Sequence, residues 1–131
     1  MKRLPSRLEE TLAFQLRASG LDKGLEREYR FCKDRMWRAD FAWPEHMLLV
    51  ECEGGIFVRA QRNGQDYGWH QSVERMLGDM EKYNAATLLG YRVLRYAARA
   101  VTDGVALREI EFALAGGIRQ PARIVPEEEA L

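Results

Sequence analysis

Apolar residues recur at helical spacing early in the chain. Leu8, Leu12 and Leu16 repeat every fourth position, with Gln15 on the same stripe, and predict a helix over 8–18. Ser6 stands ahead of it as an N-cap with Glu9 three residues on, and Gly20 supplies the stop. The pattern then switches to alternation. Residues 27–31 and 37–43 are rich in aromatic side chains, and Pro44-Glu45-His46 interrupts the chain before the apolar run 47–50. Three successive strands are predicted, and the connection between the last two is short enough to make them an antiparallel hairpin.

After Gly54-Gly55 the stretch 59–67 has hardly an apolar anchor and reads as a mobile loop. The helical period returns over 71–89 with Val73, Met76, Leu77, Met80, Tyr83, Ala86 and Leu88, opposite a charged face, and Gly90 ends it. Residues 91–96 alternate as a fourth strand. Thr102-Asp103 is expected to cap a last helix carrying Val105, Leu107, Ile110, Phe112 and Leu114. Helix, three strands, helix, strand, helix describes an α/β domain, a mixed four-stranded sheet flanked by helices, with no internal repeat.

Length refines this to one domain. A chain of 131 residues accommodates a single core, assigned here to 1–115, with 116–131 expected to be a poorly ordered tail that includes Glu127-Glu128-Glu129. Hydrophobic residues make up 47% and charged residues 31%, and no apolar run approaches the roughly 20 residues that span a bilayer. The charged amino terminus lacks the apolar stretch of a signal peptide, so a cytoplasmic protein is expected. Cys32 and Cys52 lack metal-ligand or redox spacing. Twenty bases balance twenty acids, so no global field attracts nucleic acid, although Arg27, Arg30, Lys33, Arg35 and Arg38 make one segment locally basic.

The chemistry-bearing feature is acidic. Strand alternation puts Leu48, Val50 and Cys52 on one face of the third strand and Leu49, Glu51 and Glu53 on the other. On the preceding strand Ala39, Phe41 and Trp43 are expected on the apolar face, with Asp40 projecting away, within reach of Glu51 across the hairpin. Like charges beside a core repel and resist burial unless a cation compensates them, and oxygen ligands suit Mg²⁺ or Mn²⁺. An ordinary solvated sheet face explains the same spacing equally well.

Four segments taken in order carry a resemblance. They are Trp37-Arg38-Ala39-Asp40-Phe41-Ala42-Trp43-Pro44, Val50-Glu51-Cys52-Glu53-Gly54-Gly55, Asp79-Met80-Glu81-Lys82-Tyr83-Asn84 and Gly90-Tyr91-Arg92-Val93-Leu94-Arg95. Together they resemble small phage and prophage nucleases of the PD-(D/E)XK superfamily, most nearly the very-short-patch-repair-type (Vsr-like) endonuclease domains. The resemblance implies a Mg²⁺- or Mn²⁺-dependent DNA endonuclease of a bacterial cell, with no organic cofactor, cutting branched, nicked or mismatched DNA. It makes Asp40 and Glu51 metal ligands and Glu9 an acid that orients water. Where the superfamily has lysine this chain has Glu53, which is assigned to metal or water, and Lys82 is expected to supply the missing cation, held by Asp79. His70 corresponds to a histidine that assists water or leaving group in such relatives. Arg38, Arg59 and Arg62, with Trp37, Tyr67 and Trp69, are candidates for contacts to phosphates and bases. Cutting both strands calls for a homodimer or two successive events. The lysine-to-glutamate departure keeps open a silent nucleic-acid-binding module, and the acids alone would equally serve a ribonuclease.

Overall fold

The computed structural model describes residues 5–54 and 66–117, and of these the side chains outside 66–71. Helix α1 (Arg7–Ala18) starts as its sequence directs, with the Glu9 N–H donating to Ser6 Oγ at 3.1 Å. It ends at Gly20, whose φ of 73° lets the Leu21 N–H reach back to the Leu16 carbonyl at 2.8 Å. One stripe of α1, carrying Glu9, Leu12, Ala13 and Leu16, is buried.

The sheet contains β1 (Glu26–Tyr29), β2 (Ala39–Trp43), β3 (Leu48–Cys52) and β4 (Arg92–Tyr96), lying side by side in chain order. The first three are antiparallel neighbours, whereas β4 runs parallel to β3. A parallel return needs a crossover, and the long helix α2 (Asp66–Leu88) lies in it. The β2–β3 hairpin closes through a 3-10 turn, Pro44–His46, with Met47 at φ 49° and Trp43 opposite Leu48. After β4 come a short helix α3 (Ala98–Thr102) and α4 (Val105–Leu114). The result is a mixed four-stranded α/β sheet flanked by helices, the architecture that the periodicity predicts.

Each face of the sheet has its own core. Phe41, Trp43, Leu48 and Val50 pack with Leu12 and Leu16 of α1, Val101 of α3 and Ile110 of α4. Phe31, Ala39, Ala42 and Leu49 pack with Ala86 of α2. Trp43 and Phe41 are fully buried. Burial of such side chains stabilises by about 1.5–3 kcal/mol each, and Trp43 Nε1 also donates to the Leu21 carbonyl at 2.9 Å, tying β2 to the end of α1.

Four expectations are corrected. The first strand ends at Tyr29, and Phe31 leaves it to stack with Trp37, with ring centroids 6.4 Å apart. The second strand begins at Ala39, and Ala39 joins Ala42 in the α2-side core instead of following Phe41 and Trp43. Residues three apart share one face, so strict alternation fails across Asp40. The third strand runs to Cys52, as its alternation predicts, with β4 extending its ladder by pairing Glu51 with Arg95 and Cys52 with Tyr96. Helix α2 starts at Asp66, so Asp66 and Tyr67 are helical instead of loop. Finally, Thr102 belongs to the unanticipated α3, and the N-cap of α4 is Gly104 at φ 85°, with Asp103 one residue further out as the C-cap of α3, its Oδ1 accepting from the Val105 N–H at 3.0 Å. The expected loop over 59–65 and tail over 118–131 lie outside the described residues.

Candidate metal and nucleic-acid site

The β2–β3 register decides where the acids meet. Phe41 pairs with Val50 and Ala42 with Leu49, so Asp40 and Glu51 come next on the two strands, together at the end of the ladder. The Cys52 N–H donates to Asp40 Oδ2 at 2.8 Å, which fixes the carboxylate at the end of the hairpin. Asp40 and Glu51 retain only 4% and 7% exposure. Two neighbouring carboxylates are thus held away from water.

Helix α2 brings the counter-charge. Ala86 packs on the sheet, and Lys82 lies one turn earlier on the same stripe. Its Nζ reaches Glu51 Oε1 at 2.5 Å and the Arg38 carbonyl at 2.8 Å. Burial pushes the Glu51 carboxyl up from 4.5 to about 7; Lys82 pulls the other way, and Asp40 and Glu53 add to the rise. Lys82 therefore offsets part of the desolvation penalty and leaves the rest.

A second set of acids gathers around Asp40. Glu9 on α1, Glu28 on β1 and Asp40 each offer a carboxylate oxygen, and these oxygens lie within 4.8 Å of one another. Glu9 is 1% exposed, and Glu28 sits at φ 51°, an uncommon backbone conformation for glutamate. Close-set oxygen donors of this kind fit a hard divalent ion such as Mg²⁺ or Mn²⁺. A cavity of about 460 Å³ adjoins them, lined by Glu28, Arg38, Asp40, Glu51, Cys52 and Lys82 among others.

The structure thus brings together Asp40, Glu51, Lys82, Glu9 and Arg38, and adds Glu28. Nothing in the strand pattern singled out Glu28. Its one signal is an acid set among the bases Arg27 and Arg30. Glu53 stands apart from the three-carboxylate group, because Arg95 on β4 takes it at 2.7 Å. Asp79 pairs with that same Arg95 at 3.8 Å, where an Asp79–Lys82 pair was expected. Trp37 is covered by the Arg35 guanidinium 3.9 Å from its ring centre and by Phe31. His70 falls in the second turn of α2, beyond the loop junction where it was expected, and its side chain, like Tyr67 and Trp69, lies outside the description. Arg59 and Arg62 also lie outside the described residues. No protein-family model, curated protein or solved structure matches the chain.

Proposed function

We propose that this chain is a divalent-metal-dependent DNA endonuclease with a PD-(D/E)XK-type site. The observation that carries this reading is the convergence of Asp40, Glu51 and Lys82, from a hairpin and a crossover helix, on one cavity beside Glu9 and Glu28. These are the residue types phosphodiester hydrolysis needs, oxygen ligands together with a cation near the phosphate.

Asp40, Glu9 and Glu28 are the side chains that would hold the ion, with Glu51 at its flank. Mg²⁺ or Mn²⁺ bound there supplies charge neutralisation at the scissile phosphate and acidifies water. Lys82 has two tasks. Its contacts with Glu51 and the Arg38 carbonyl hold the carboxylate in place, and its ammonium faces the cavity where negative charge grows on phosphoryl oxygens. In this reading Lys82 replaces the lysine that Glu53 displaces, and Arg95 neutralises Glu53 so that it does not repel the phosphate. The two free cysteines and a DNA substrate suit a cytoplasmic enzyme. No described helix is long and apolar enough to cross a membrane.

One observation favours a second reading. With Glu53 occupied by Arg95 and Lys82 by Glu51, two cations near the acids are already paired, as a silent nucleic-acid-binding module would tolerate. Cleavage of supercoiled plasmid, branched DNA and RNA by wild type, Asp40→Asn and Glu51→Gln, with Mg²⁺, Mn²⁺ or EDTA, separates the two. The nuclease reading expects metal-dependent DNA cutting that both variants lose. Nucleic-acid binding without cutting by wild type would establish the silent module, and cutting confined to RNA would make the chain a ribonuclease.

A further inference from the structure

The cavity at Asp40 does not end there. A neighbouring one of about 400 Å³ shares Glu51 and Lys82 with it and adds Trp37, Arg75 and Tyr83. A third, of about 960 Å³, shares Glu53, Asp79 and Tyr83 with the second and adds Met80, Asn84 and Arg95. Shared lining residues set the three side by side along α2, a groove of adjoining cavities from Asp40 to Arg95. Arg38, Lys82, Arg75 and Arg95 stand in it successively, and the third cavity is of a size that takes a nucleotide.

The far end has the chemistry of a base seat. The Arg95 guanidinium lies over the Tyr83 ring with its carbon 4.1 Å from the ring centre, and the side chain keeps 44% exposure. The guanidinium carbon thus sits over the tyrosine ring on a part-exposed side chain, a pairing of planar groups of the kind on which unpaired bases stack. Met80, 53% exposed, supplies an apolar wall, and the Asn84 amide offers a donor and an acceptor for a base edge. Lys82 and Arg95 are matched by Glu51 and Glu53, so stacking, more than net positive charge, must hold the ligand. Stacking needs bases that are not already stacked in a duplex.

We propose that this groove seats a single unpaired nucleic-acid strand, with a base against Arg95 and Tyr83 and the adjoining phosphate toward Lys82 and Asp40. The substrate class is then a flap, gap or overhang. The identification of that phosphate as the scissile one rests on the nuclease reading; the base seat does not.

Fluorescence anisotropy of labelled single-stranded DNA, single-stranded RNA, gapped DNA and fully paired duplex tests this, with Ca²⁺ added to hold off cleavage. A 2-aminopurine placed in the gap reports stacking. Wild type is expected to bind the unpaired substrates at least tenfold more tightly than duplex and to quench the 2-aminopurine. Tyr83→Ala should lose about tenfold or more. Met80→Glu, a change at an exposed position, should weaken binding by placing a carboxylate in the seat without touching the core. Equal binding of paired and unpaired DNA, or binding unchanged in Met80→Glu and Tyr83→Ala, overturns the proposal even if the protein cuts DNA. Selective, Tyr83-dependent binding without cleavage in Mg²⁺ or Mn²⁺ upholds the seat and rejects the nuclease. Absence of binding to every nucleic acid rejects both.

Discussion

Lys82→Met tests the energetics of the site without needing a substrate. In metal-free protein, Glu51 is a carboxyl whose folded pKa is raised from 4.5 to about 7 by burial. Its contribution therefore favours folding fully below 4.5 and is lost as pH rises through 7. At about 1.4 kcal/mol per pH unit, that interval amounts to roughly 3 kcal/mol of stability. Near pH 6 the carboxyl is largely protonated in both proteins, so the substitution costs mainly the hydrogen bonds from Lys82 to the Arg38 carbonyl and to an uncharged carboxyl, about 1–2 kcal/mol together. Above pH 7 the wild-type carboxyl ionises against Lys82, whereas in the variant it has lost the cation and must keep its proton. The deficit then grows by up to about 1.4 kcal/mol per pH unit and reaches roughly 3–4 kcal/mol near pH 9, the range known for broken buried pairs. Urea unfolding in EDTA, followed by tryptophan fluorescence at the two pH values, reads it. An equal deficit at both, or a larger one at the lower pH, would refute the reasoning.

Further consequences concern the acids and the frame that holds them. Titration calorimetry should show Mn²⁺ binding lost in Asp40→Asn and weakened roughly tenfold or more in Glu28→Gln, with Glu45→Gln, an exposed acid on the 3-10 turn, binding as wild type does. Equal binding by Glu28→Gln would remove Glu28 from the ion's ligands. Trp43→Phe deletes the donor to the Leu21 carbonyl and leaves space in the α1-side core, so denaturant unfolding should show a loss of about 1–3 kcal/mol. Gly90→Ala forces a side chain to φ 95° at the end of α2, with an expected loss of about 1–2 kcal/mol visible as a lower melting temperature.

Much of this molecule was legible in the sequence, because the signals concerned are local. Ser6 and Gly20 delimit α1 through their own hydrogen bonds and backbone angles. The short Pro44–His46 turn leaves the chain no choice but to pair β2 with β3, and that pairing brings Asp40 and Glu51 to the same end of the hairpin. The helical stripe that includes Lys82 and Ala86 was equally readable, and it carries the cation to Glu51. What only the tertiary structure decided depends on contacts between segments distant along the chain. Glu28 looks like an edge-strand residue, and Glu9, named only through the family resemblance, reads by spacing as a helix-capping acid, until α1 and β1 are laid beside Asp40. The role of Glu53 turns on the parallel pairing of β4, which sets Arg95 beside it and Glu51; no periodicity in either strand specifies that partner. Ala39 escapes strict alternation for the same reason: the face a strand residue takes at the end of a ladder is set by what packs there, and here Leu49 and Ala86 do. Period and turn chemistry chose the elements, and packing between distant elements chose which charges meet.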